Sequence, residues 1–145
     1  MRIFKFGGAS VKDANGIKNV YDVLQKVGYE DILMIVSAMG KTTNALEVVV
    51  KDYFEKSASL QSSIQEVKKY HNQILLDLFE EEKNGVFQAI NDLFSDLDYF
   101  LSHNKSPNYN FVYDQIVSFG ELLSTTILSH YMAHCGIKTN WIDVR

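Results

Sequence analysis

Apolar residues first occur in two short dense runs. "RIFKF" at 2–6 has the length of a strand and ends at the glycine pair of "GGAS". "DILMIVS" at 31–37 is apolar almost throughout, the pattern of a strand covered on both faces. Between them, Val11, Ile17, Val20, Val23, Leu24 and Val27 fall near a helical period, and Gly28 stands where a C-cap would. Strand, helix, strand in this order predicts a right-handed βαβ unit with parallel strands.

From about residue 45 to about residue 134 the period is helical. Leu46, Val49, Val50, Tyr53 and Phe54 make one stripe, and Ile64, Val67, Tyr70, His71, Ile74, Leu75 and Leu78 a longer one. Phe87, Ile90, Leu93, Phe94, Leu97, Phe100 and Leu101 make a third. The polar "EEEKNG" precedes that third stripe, and "HNKSPNYN", with the only proline, follows it. The aromatic residues in these stripes read as packing surface rather than as a cofactor box. The run "DQIVSFGELLSTTILSHYMAHCG" is again helical, with Gly136 as a C-cap and Gly120 as a possible break. "IKTNWIDV" at 137–144 predicts a third strand. Three strands with four or five helices fall short of the roughly five or six strands of a usual sheet, so a partial α/β domain is expected.

The bulk numbers narrow the classes. A chain of 145 residues is long enough for one domain with a real core. A net charge of −4 gives no electrostatic footprint for nucleic acid. The single cysteine, Cys135, has no internal disulfide partner and is expected to be a buried thiol near a helix end. No stretch is long and apolar enough to span a membrane, and "MRIFKFGG" is not a signal peptide. The default is a cytoplasmic protein without membrane or nucleic-acid partners.

Two turns carry candidate chemistry. "SAMGKTTN" at 37–44 follows the second strand and contains Gly-Lys-Thr, but position 35 is Ile where a P-loop needs glycine. The strand, polar turn and helix could still hold an anion at the helix N-terminus. An ordinary turn capped by Thr42, Thr43 or Asn44 explains the pattern equally well. In "KFGGAS", Gly7 and Gly8 let backbone approach a ligand, Ser10 is placed to cap the next helix, and Lys5 has no acidic neighbour in sequence. Together these could make a phosphate site. Residue pattern alone slightly favours a plain glycine turn beside a solvated lysine.

"KFGGAS", "VSAMGKTTNAL", "SFGELLS" and "WIDVR" stand here in the order and spacing of the aspartokinases, members of the amino acid kinase family, which the chain resembles over its whole length. The helical middle is similar only in kind. The resemblance implies a partial three-layer α/β sandwich with parallel strands and a helix-rich insertion, making up the N-terminal part of a catalytic domain over 1–145. It implies a kinase that uses ATP and Mg²⁺ to phosphorylate the side-chain carboxylate of L-aspartate, giving 4-phospho-L-aspartate for lysine, threonine and methionine synthesis. Lys5 resembles the lysine that meets the transferred phosphoryl group. Gly7, Gly8 and Ser10 resemble the loop that holds ATP phosphate. Ser37, Ala38 and Thr43 resemble aspartate-binding residues, and Glu121 the glutamate that holds the substrate ammonium. A buried Glu121 without a partner would be destabilising, and an ammonium would satisfy it.

Ala9 stands where the family more often has threonine, and Lys41 matches no assigned role. In the family, the base and ribose contacts, a substrate arginine and the regulatory domains lie beyond the stretch matched by residue 145. The resemblance therefore leaves no metal ligand identifiable here, makes the 145 residues alone an expected inactive piece, and leads to an exposed apolar sheet edge or face and self-association or homo-oligomers. The alternatives are a non-catalytic binding module of the same fold, or another carboxylate kinase of the family.

Overall fold

The computed structural model describes residues 1–80 and 85–144. Most of the polar break "EEEKNG" lies outside the described residues.

Two strands, β1 (Arg2–Phe6) and β2 (Ile32–Val36), pair in parallel, with Ile3 opposite Leu33, Lys5 opposite Ile35 and Phe6 opposite Val36. The connecting helix α1 (Ala14–Val27) supplies the crossover that parallel pairing requires. Its N-cap is Asp13, whose side chain accepts from the Gly16 N–H at 2.8 Å. This corrects the expectation for Ser10. After the strand the chain first closes a turn, with the Ser10 N–H donating to the Gly7 carbonyl at 2.9 Å, so the helix starts three residues later. At its other end the Arg2 guanidinium donates to the carbonyls of Val27 at 2.6 Å and Gly28 at 2.8 Å. A cation on those last carbonyls complements the helix dipole and ties the start of β1 to the end of α1.

Alternation along the strands divides the sheet into two faces. Phe6, Ile32, Met34 and Val36 pack towards the helices. Ile3, Leu33 and Ile35 lie on the other face and are 62%, 39% and 50% exposed. The expectation of a strand covered on both faces therefore holds for one face of β2 only, because no described element lies over the other. The expected open apolar face is present.

The rest is helical: α2 (Thr42–Glu55), α3 (Leu60–Leu78), α4 (Gly85–His103), α5 (Tyr109–Val117) and α6 (Phe119–His134). α2 lies against α3 and α5, and α4 lies against α6. The apolar stripes meet in one core that includes Ile17, Leu24, Leu46, Ile64, Leu75, Ile90, Leu97 and Ile127. The break in the last helical run falls at Ser118, two residues before Gly120. α2 has Lys41 at its N-cap and no side-chain cap. The Thr42 hydroxyl donates instead to the Met39 carbonyl at 2.6 Å, so neither Thr42 nor its neighbours cap the helix. No described helix is long and apolar enough to cross a membrane.

α6 closes with a Schellman turn. The Gly136 N–H donates to the Ala133 carbonyl and the Ile137 N–H to the Met132 carbonyl, with Gly136 at φ +82°. Cys135, at the C-cap, is half-buried rather than buried. The expected third strand is absent: residues 137–144 form no ladder. The segment follows α6 through side chains, with Thr139 Oγ1 2.9 Å from Ser129 Oγ and the Trp141 indole N–H donating to Thr125 Oγ1 at 2.9 Å. A strand needs a neighbour's edge, and no described strand lies beside it, which leaves Ile142 and Val144 exposed.

Candidate functional site

The turns that leave β1 and β2 pack against each other at the carboxyl ends of the two strands, the place where open α/β sheets bind ligands. The Ser37 N–H donates to the Phe6 carbonyl at 3.0 Å, and the Gly40 N–H donates to the Gly8 carbonyl at 3.0 Å. A Cβ added to Gly8 would stand 2.6 Å from the Ala38 carbonyl oxygen and 3.2 Å from that of Gly40. Only glycine lets the two backbones approach this closely.

Ala38 is where the third motif joins. It is 4% exposed. Its N–H donates to Glu121 Oε1 at 3.4 Å, and a Cβ on Gly120 would stand 2.8 Å from its methyl group. The first turn of α6 therefore seats its glycine on Ala38 and delivers the next carboxylate to the same amide. "KFGGAS", "VSAMGKTTNAL" and "SFGELLS", which are far apart in sequence, meet around one residue.

The structure places the expected site residues unequally. Gly7, Gly8, Ser37, Ala38 and Glu121 come together. Thr43 is half-buried in the first turn of α2, one residue beyond the buried Thr42. Ser10 is exposed on the first loop. Glu121 itself is exposed, so the expectation of a buried carboxylate is corrected: it sits on the first turn of α6 with one oxygen on the Ala38 amide. Lys5 is exposed on the open sheet face, opposite Ile35 and near Ile3, and its side chain has no hydrogen bond or ion pair among the described residues. It is a cation on an otherwise apolar surface. If that surface is covered, its charge needs an anion.

The loop suits a phosphate group. The N–H groups of Gly7, Gly8 and Ala9 donate to no described residue, and the loop leads towards the N-terminus of α1. The described residues contain no group of three or more His, Cys, Asp or Glu placed to hold a metal ion.

Pattern reading counted Tyr70 and His71 as packing and missed their polar ends. His71 is fully buried on α3. Its Nδ1–H donates to the Val67 carbonyl at 2.8 Å, which leaves Nε2 to face Thr42 Oγ1 at 3.4 Å. Two ring residues with polar ends side by side in an apolar stripe were the available signal. Burial holds the imidazole pKa down to about 4, against an ordinary 6.5. The folded state therefore binds the proton less tightly than the unfolded state does. The stabilisation from a neutral His71 is complete above the unfolded value and is lost as pH falls from about 6.5 towards 4. The linked loss is on the order of 3 kcal/mol over that window. Urea unfolding at pH 7 and pH 4 should show a smaller loss for His71→Leu than for the wild type. Equal pH dependence in both would clear His71 of the effect.

A family model described as the amino acid kinase family matches residues 1–145. Aspartokinase 1, chloroplastic, of Arabidopsis thaliana is 31% identical over 144 residues, which is 97% of this chain and 25% of that protein. The bifunctional aspartokinase/homoserine dehydrogenase 2 of Escherichia coli (strain K12) is 27% identical over 144 residues, 99% of this chain and 18% of that protein. The crystal structure of E. coli aspartokinase III with lysine and aspartate superimposes with a TM-score of 0.84 at 22% identity, covering 100% of this chain and 32% of the other. The same enzyme with aspartate and ADP gives a TM-score of 0.79. The chain spans less than a third of each of these relatives.

Proposed function

Since the chain belongs to the amino acid kinase family, we propose that it is the N-terminal part of an aspartokinase catalytic domain. The reaction would move the γ-phosphoryl group of ATP to the side-chain carboxylate of L-aspartate, giving 4-phospho-L-aspartate. The observation that carries this reading is the meeting of three motifs at Ala38, which joins a glycine loop, a substrate loop and the Glu121 carboxylate. The relatives, themselves aspartokinases, support it, as does a structural neighbour that binds aspartate and ADP.

The roles follow from charge. The amides of Gly7 and Gly8, with Ser10 beside them, would hold ATP phosphate, and Lys5 would face the transferred group. Ser37, Ala38 and Thr43 would orient aspartate. Glu121 keeps one oxygen on the Ala38 amide, and its remaining lone pairs face solvent, free to hold the substrate ammonium. The attacking carboxylate is already ionised near neutral pH, so no general base is needed. What remains is positioning and charge neutralisation. Mg²⁺ would neutralise phosphate charge when bound, but no described residue is assigned to it. Nor is any residue here assigned to the adenine or ribose, so the 145 residues alone are expected to show no aspartate-dependent ATP turnover. The open face of Ile3, Leu33 and Ile35 is the surface on which self-association would occur.

Glu121→Gln tests the substrate assignment in a polypeptide that carries this chain with the rest of its kinase domain. Glutamine can still accept from the Ala38 amide, so the loop keeps its tether while the charge is lost. The aspartate KM should rise roughly tenfold to a hundredfold, the size of one charged hydrogen bond. The ATP KM should stay near the wild-type value. Equal weakening of both ligands, or of neither, would give Glu121 a structural role instead.

A further inference from the structure

α3 belongs to the helical middle, yet two consecutive side chains on it reach both loops. The Tyr70 hydroxyl donates to the Lys12 carbonyl, at the end of the loop that leaves β1. The same hydroxyl stands 2.5 Å from where a Cβ on Gly40 would be, in the loop that leaves β2. Burial and the nearby Asp13 carboxylate raise the Tyr70 pKa, so the phenol stays protonated and able to donate. His71 points about 100° away around the helix. Its Nε2 faces the Thr42 hydroxyl, and that hydroxyl donates to the Met39 carbonyl. The two rings meet edge to face at 5.1 Å, and His71 packs on Phe94 at 6.5 Å.

We infer that Tyr70 is a positioning residue: from α3 its hydroxyl sets the separation of the two loops through Lys12 and Gly40, while the buried His71 ring packs against Thr42, whose hydroxyl holds the Met39 carbonyl. The roles of the loops rest on the aspartokinase reading, but the latch itself rests on geometry alone. One side of the paired loops is already fixed by the sheet, through the Ser37 to Phe6 bond. The far side has its link through Gly40 and Gly8. Tyr70 stands on that far side, where a shift would change the distance between a phosphate on the first loop and a substrate on the second.

Hydrogen–deuterium exchange on the 145-residue chain, read by NMR, tests the latch without any need for activity. Tyr70→Phe and Thr42→Val are near-isosteric and keep the packing. In Tyr70→Phe, the Ser10 and Gly40 amides should exchange about tenfold faster, the cost of one lost hydrogen bond. In Thr42→Val the Gly40 amide should also exchange faster. The Val49 and Leu75 amides, in the helices, should keep their wild-type rates in both. A uniform change across the chain, or no change at the loops, would reduce Tyr70 to a packing residue and overturn the inference. In the longer kinase polypeptide, Tyr70→Phe should also lower kcat about tenfold, because small misplacements of reacting groups are costly in rate. Unchanged kcat per folded molecule would overturn the positioning role. A wild type that never turns over aspartate would sink the aspartokinase reading instead, and the exchange result would still decide the latch.

Discussion

Lys5→Ala should lower turnover by about a hundredfold in a polypeptide that carries this chain with the rest of its kinase domain, the loss expected from removing one group that stabilises transition-state charge. The aspartate KM should change little, because a cation aimed at the transferred group acts mainly in the transition state. The fold should not suffer. The Lys5 side chain is exposed and makes no hydrogen bond or ion pair among the described residues, so its removal leaves neither a cavity nor an orphaned partner. Surface changes of this kind stay within about 0.5 kcal/mol of stability. Activity and stability should therefore separate cleanly. Steady-state kinetics and a melting curve on the same preparation make the comparison. A folded variant with near-normal turnover would remove Lys5 from the mechanism.

Gly8→Ala should lower the stability of the fold where Gly7→Ala does not. The new methyl group would lie 2.6 Å from the Ala38 carbonyl oxygen, 3.2 Å from that of Gly40 and 3.6 Å from the Gly40 nitrogen. All three are backbone atoms, so no rotamer change relieves the contact. The loops must part, and the Gly40 to Gly8 hydrogen bond is then strained or lost. Forced overpacking costs about 1–3 kcal/mol. For a chain of this size that is a fall of several degrees in Tm. Gly7→Ala is the matched control, since nothing lies within 4 Å of its added Cβ. Thermal unfolding of the pair should give a clear fall for Gly8→Ala and a near-wild-type Tm for Gly7→Ala. Equal Tm values would mean that the two loops are not packed as described.

The βαβ unit was legible because its signals are local. Alternation, helical period and Gly28 each occupy a few consecutive positions, and β1, α1 and β2 lie close to where those signals put them. The helical stripes were legible for the same reason. Contacts between distant segments were not. Gly120 read as a possible break, but its role is set by Ala38, which lies 82 positions earlier. Glu121 seemed to call for burial, yet the helix places its side chain at the surface with one tether. Ser10 and Asp13 are both good caps, and the turn closed by Ser10 decides between them. The 137–144 segment has a strand-like composition, but a strand is a property of a pair, and composition cannot supply the neighbour. The motif resemblance singled out Gly8, Ala38 and Glu121, which the fold packs together, because it carries long-range geometry that single-residue patterns lack. It said nothing of Tyr70 and His71, which lie in the stretch where the resemblance was only of kind.

In the reading we propose, the paired loops and the start of α6 bind aspartate and nucleotide phosphate side by side. Amide chemical-shift mapping of the 145-residue chain during titration with aspartate, with ATP, and with glutamate as a control tests it most directly. Aspartate should move the amides of Ser37, Ala38, Thr43 and Glu121, ATP should move those of Gly7, Gly8 and Ser10, and glutamate should move neither set at the same concentration. Shifts that cluster elsewhere on the chain, or an aspartate response matched by glutamate, would place the substrate site away from these loops or deny it selectivity for aspartate.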